Sequence, residues 1–129
     1  MSDPAALART FVRSVAAKDR DALTSVLDGE IDFRGLTPSF EWRARTPDEV
    51  AEIVFGSWFE PHDHVQEVLD VGTKTIADRH HVRYVFRVES QGELYLVEQQ
   101  GYFDAPDGRI TRMSVMCSGF RPWEEPPSD

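Results

Sequence analysis

The chain holds a single cysteine, Cys117, in 129 residues, so no intrachain disulfide can staple it. Basic residues are few and dispersed. Fourteen Lys and Arg stand against 23 Asp and Glu, for a net charge of −9. That balance argues against nucleic-acid backbones and anionic membranes, which select basic surfaces. No apolar run approaches the length of a membrane span, and the first residues lack a charged-then-apolar leader pattern. A reducing, cytoplasmic compartment follows as the expectation. There is no Gly-rich phosphate loop, so no cofactor is expected.

What remains is an ordinary globular composition, with 40% hydrophobic and 29% charged residues. A chain of this size forms one domain and buries roughly 65% of its unfolded surface. The first half reads helical. Asp3 caps a helix that begins at Pro4, and Leu7, Phe11, Val12 and Val15 recur at helical spacing. A second short helix follows Asp19, with Gly29 as its stop. "EIDFRG" reads as a brief strand and "LTPSFEWRAR" as a loop. Thr46, Pro47 and Glu49 open a third helix, with Val50, Ile53, Val54 and Trp58 on one face.

The second half reads as strands joined by hairpins. Val82, Tyr84, Phe86 and Val88 alternate with polar neighbours, which marks a half-buried strand. "SQG" reads as a three-residue hairpin loop and "PDG" as a turn before the last strand. Helices first and an antiparallel meander second predict an α+β fold. Hairpins this long must twist and curl, so one sheet face wraps the helices and the other stays free for a partner.

This layout resembles the nuclear transport factor 2-like superfamily, in particular its SnoaL-like branch. The resemblance rests on "FVRSVAAKDRDALTSVL", "DFRG", "DGRITRMSV" and the closing "CSGFRP", and spans residues 5–122. It implies a cystatin-like cone, a curved antiparallel sheet wrapped around N-terminal helices with an apolar pocket inside. It also implies a homodimer through the convex sheet face. On this reading residues 1–122 form one domain and 123–129 an acidic, proline-rich tail. Activities implied by the superfamily include isomerase, cyclase, dehydratase and hydrolase, although many members have none known. The ketosteroid isomerase machinery is not carried over. Its tyrosine would fall on Phe11, its protonated aspartate near Gln100, and its base near Phe33 or Arg34.

The candidate site is built from strand alternation. With a three-residue loop after Ser90, Tyr84 pairs with Glu98 and Val82 with Gln100. Leu94, Leu96, Glu98, Gln100 and Tyr102 then face inward, and Gln99 faces out. An inward carboxylate among apolar neighbours is a candidate acid/base, with Tyr84 and Gln100 orienting it or the substrate. The structural alternative is a Glu98 tied to Tyr84, to Gln100 or to a backbone N–H. Phe11, Trp58, Phe86, Met113 and Cys117 are the candidate ligand-binding residues, for a hydrophobic small molecule. Apolarity places Met113, Val115 and Cys117 inward on the last strand, whereas the turn alone would favour the opposite parity. Tyr95, Val97 and Phe103 form an apolar outer stripe suited to a homodimer. Glu60, His62, Asp63 and His64 lie close in sequence but lack a remote further ligand, so a solvated loop is expected and no metal. Two functions remain open: a cofactor-independent acid/base enzyme, or a non-catalytic ligand-binding or dimerisation module. They part over Glu98, which the enzyme needs inside the pocket.

Overall fold

A computed structural model describes residues 3–124. Local signals fix the helices. In α1 (Pro4–Ala17), Asp3 caps the first turn by accepting from the Ala5 N–H, and Lys18 closes the last in a left-handed conformation. Asp19 caps α2 (Arg20–Ser25) by accepting from Ala22 N–H at 3.1 Å. Gly29 is not the stop of that helix. Val26 closes it, and Gly29 lies inside β1 (Leu27–Thr37), which is longer than the brief strand expected.

The stretch read as a loop is the second half of a hairpin. Thr37 pairs with Phe40 across Pro38 and Ser39, so the chain returns as β2 (Phe40–Ala44). The Trp42 indole N–H donates to Thr37 Oγ1 at 3.0 Å and ties the two strands together. Turn residues here mark a tight reversal within a sheet, which composition alone reads as a loop.

Thr46 caps α3 (Pro47–Ile53), and Glu49 reaches back to the Arg45 N–H at 2.9 Å. The helix then widens into a π-helical turn over Val54–Trp58, closed by Phe59 N–H donating to Val54 O at 2.8 Å. That widening sets where Trp58 and Phe59 enter the core.

The strands β3 (Asp63–Ile76), β4 (Arg79–Ser90), β5 (Glu93–Asp104) and β6 (Ile110–Cys117) complete a sheet of order β2-β1-β6-β5-β4-β3. Its pairings are antiparallel except β1 with β6, which run parallel. After Cys117 the chain bends and rejoins β5 as β7 (Arg121–Pro122). Trp123 N–H donates to Leu94 O at 3.0 Å, so the first residue assigned to the tail is tied to the sheet. Positions 125–129 of that expected tail lie outside the described residues.

The helices pack on the inner face of the sheet. Leu7, Phe11, Val15, Leu23 and Val54 meet Ile31, Phe33, Tyr84, Phe86, Val97 and Met113 in one buried cluster. No helix among the described residues is long and apolar enough to cross a membrane.

The hairpin between β4 and β5 overturns the predicted register. Ser90 pairs with Glu93, so the loop is the two residues Gln91 and Gly92. Both have positive φ, 52° and 87°, as a tight hairpin turn of matching twist requires. A loop one residue shorter moves every side chain of β5 to the opposite face. Tyr84 therefore faces Gln99, and Phe86 faces Val97. Val97, Gln99, Gly101 and Phe103 point into the core, whereas Glu98, Gln100 and Tyr102 point outward. The outer stripe expected from Val97 and Phe103 does not form, because both are buried.

Candidate functional site

One end of the core opens between the π-helical turn, the β1–β2 hairpin and the bend after β6. A cavity of about 180 Å³ lies there. Trp58, Phe59, Phe120 and Trp42 supply its aromatic wall, and Gln99 and Cys117 reach it from β5 and β6. Among the described residues its wall has no carboxylate, imidazole or cationic side chain.

Packing holds its parts in place. The Trp58 indole lies on Gly35 so closely that a Cβ there would meet Cζ2 at 2.3 Å, and its ring sits 5.8 Å from that of Phe33. Only glycine leaves room for the indole. Phe59 packs edge-on against Phe86 at 5.8 Å and against Phe120 at 6.0 Å. Gly119, at φ 77°, turns the chain so that Phe120 comes over the cavity; a side chain there would strain the backbone and meet Pro38.

Gln99 is the polar centre of the inner face and only 1% exposed. The Tyr84 hydroxyl donates to its Oε1 at 2.5 Å. Burial raises the tyrosine pKa far above its ordinary value of 10.0, and nearby Cys117 adds to the effect. Tyr84 is therefore a neutral hydrogen-bond donor. Gln99 Nε2 and Trp58 Nε1 are sealed within the packing and have no hydrogen-bond partner among the described residues.

The expected site residues separate. Tyr84 faces inward, but its partner is Gln99 rather than Glu98. Glu98 stands on the outer face, where Arg83 Nη1 donates to its Oε2 at 3.3 Å and Arg83 Nη2 donates to Asp70. Gln100, also outward, meets His81 Nε2 through its Oε1 at 3.1 Å. Trp58 and Cys117 are on the cavity wall. Phe11, Phe86 and Met113 are fully buried core residues, away from that wall. Met113 and Val115 take the inward parity that apolarity favours. Gln99 was missed because its face depends on one residue of loop length.

Glu60, His62 and Asp63 come together at the turn into β3, with Glu60 and His62 exposed. Their ligating atoms lie within 4.8 Å of one another, with His62 Nε2 3.4 Å from Asp63 Oδ1. Geometry of this kind could hold a divalent ion. The Asp63 oxygens already accept from Glu60 N–H and Ser90 Oγ, which closes the turn into β3. His64 is not in this group.

A second, larger concavity of about 530 Å³ lies on the outer sheet face. Leu36, Gln100, Tyr102 and Met116 line it, flanked by Arg34 and Glu41.

No protein-family model matches the chain, and no curated protein does. Solved structures do. A protein from Pseudomonas putida provisionally named a polyketide cyclase shares 12% identity at TM-score 0.71, over 89% of this chain and 91% of that one. An LEH-like epoxide hydrolase of M. tuberculosis shares 14% at 0.62, over 87% and 80%. A Xanthomonas campestris protein of unknown function with a cystatin-like fold shares 13% at 0.67, over 90% and 91%. The chain thus has the cystatin-like α+β fold of SnoaL-like, nuclear transport factor 2-like proteins.

Proposed function

We propose that this chain is a SnoaL-like small-molecule-binding protein whose cavity, between Trp58, Phe59, Gln99 and Phe120, takes an uncharged, largely apolar compound. The observation that carries the reading is the identity of the inward polar residue. It is the amide of Gln99, with the Tyr84 phenol behind it, and no carboxylate among the described residues lines the wall. An apolar wall with a few placed polar groups is the usual form of a ligand pocket. Burying an ion there without a counter-charge would be costly.

A second reading is an enzyme of the isomerase, cyclase or hydrolase kind, supported by the provisional names of its structural neighbours. Such an enzyme would polarise a substrate oxygen through N–H donors. Glu98 and Gln100, on the outer face, would take no part in it.

The test is a thermal-shift screen of neutral hydrophobic ring compounds against the wild type and Glu98→Gln. A ligand at 100 times its Kd adds ~2.7 kcal/mol of stability. Equal shifts in both proteins are expected. A shift lost in Glu98→Gln, or none with any neutral compound, overturns the reading.

We also infer a homodimer through the outer face, on residues other than those first expected. Leu36, Tyr102 and Met116 are exposed there around one concavity. Met116→Asp should convert a dimer to a monomer in sedimentation equilibrium, and a monomeric wild type refutes the inference. The single cysteine supports a cytoplasmic setting; recovery in another compartment on cell fractionation would refute that.

A further inference from the structure

The turn that leads into β3 is tied down from several sides. Asp63 N–H donates to Glu60 O at 2.8 Å, and Glu60 N–H donates to Asp63 Oδ2 at 2.9 Å. Ser90, opposite Asp63 on β4, donates through Oγ to Asp63 Oδ1. Lys18 Nζ reaches in from the end of α1 and donates to the Glu60 carbonyl at 2.5 Å. With the backbone held, an imidazole and two carboxylates converge. His62 Nε2 lies 3.4 Å from Asp63 Oδ1 and 3.7 Å from Glu60 Oε2. Bonds of roughly 2.0–2.2 Å to a tetrahedral ion set neighbouring donors about 3.3–3.6 Å apart. The two distances fall near that edge length, and the exposed Glu60 side chain has room to adjust.

Two further observations point to a cation. The first is charge. The Asp63 side chain is only 5% exposed, yet among the described residues no Lys or Arg pairs with its carboxylate. Its hydrogen bonds come from a neutral hydroxyl and a backbone N–H, and Lys18 is spent on a backbone carbonyl. A buried carboxylate beside a second carboxylate calls for a positive partner. The second is space. The three donors border a concavity of about 310 Å³, with Ser57, Ser90 and Tyr95 also on its wall. An ion held by three protein donors keeps a coordination position for water or a ligand. An imidazole in the set favours first-row transition ions over Ca²⁺ and Mg²⁺, which prefer oxygen donors alone.

We propose that Glu60, His62 and Asp63 bind a divalent transition ion of the zinc class, with one coordination position open to this concavity. The inference does not rest on the inner cavity being a ligand pocket, although Ser57, Trp58 and Phe120 border both.

The experiment is calorimetric titration of the full chain, stripped by a chelator, with zinc chloride and with calcium chloride. His62→Gln and Glu60→Gln each remove one donor from an exposed side chain, so the fold is kept. Asp63 is left in place because it closes the turn. His64→Gln is the control, since His64 is exposed next to the cluster but outside it. Wild type should take up one Zn²⁺ per chain and bind Ca²⁺ at least about tenfold more weakly. Loss of an outer partner alone costs about tenfold in metal affinity, so each donor variant should lose at least that much. His64→Gln should bind as wild type does. Absence of stoichiometric Zn²⁺ uptake by wild type overturns the proposal. Full-strength binding in either donor variant overturns it too. Ca²⁺ binding as tight as Zn²⁺ would reduce the cluster to an acidic patch. A loss in His64→Gln equal to that in His62→Gln would assign the ion to a surface pair of histidines instead.

Discussion

Tyr84 and Gln99 stand directly opposite each other on β4 and β5, and the phenol donates to the amide oxygen at 2.5 Å inside the core. This bond joins the packing of the sheet to the cavity wall. Tyr84→Phe removes the donor and strands a buried oxygen, at an expected cost of about 1–3 kcal/mol. Adding Gln99→Met should recover part of that loss, since both polar groups are then gone. Urea denaturation of the two singles and the double gives the coupling. A Tyr84→Phe protein as stable as wild type would show that the bond contributes nothing.

Alkaline pH should act on the same residue. Burial raises the Tyr84 pKa in the folded protein above the ordinary 10.0. Unfolded chains then release this proton above pH 10 while folded ones keep it. The unfolded state holds fewer protons, so stability falls as pH rises, by up to about 1.4 kcal/mol per pH unit for one group. Tyr84→Phe should flatten the decline between pH 10 and 11. An unchanged slope in that variant would assign the decline to other groups.

Glu98→Gln should do little. Its side chain and that of Arg83 are each more than 40% exposed, and surface pairs contribute about 0–1 kcal/mol. The difference from wild type should shrink further in 1 M salt. A loss above about 2 kcal/mol on chemical denaturation would mean that Glu98 is engaged inside the protein, against the register found here.

The turn that sets this register offers its own test. Gln91 adopts φ 52°, which asparagine tolerates better than glutamine, and Gly92 adopts 87° in open space. Gln91→Asn should raise Tm by one or two degrees, on the order of 0.3–0.5 kcal/mol for a small domain. Gly92→Ala should destabilise by about 1 kcal/mol through backbone strain alone. The opposite order in differential scanning calorimetry would exclude this turn type.

Much of the architecture was legible from local chemistry. Asp3 and Thr46 announce helix starts because capping depends on neighbours in sequence. The Val82–Val88 alternation marks the inner face of β4, and apolarity places Met113 and Val115 correctly against the pull of the turn. The site was less legible. The facing of Glu98 and Gln99 turns on whether Ser90 belongs to the loop, and Ser-Gln-Gly allows both readings because glutamine rarely takes positive φ. Phe11, Phe86 and Met113 look as suitable for a pocket as Trp58 and Cys117. Only three-dimensional packing, with the indole laid on Gly35, separates core from wall. Pro38-Ser39 hid β2 because two turn residues read alike in a loop and in a hairpin.

The parallel pairing of β1 with β6 has a consequence for the order of assembly. Phe33 meets Met113 and Gly35 meets Val115, partners some eighty positions apart in the chain. The hairpins β1–β2, β3–β4 and β4–β5 can close early from nearby residues. The seam between β1 and β6 must wait until the last long strand has left the ribosome. Loop-closure entropy is then met before the reward of contact, which slows folding relative to a purely local topology. Until that seam closes, β1 carries an open edge, and the newborn chain is most exposed to misassociation there.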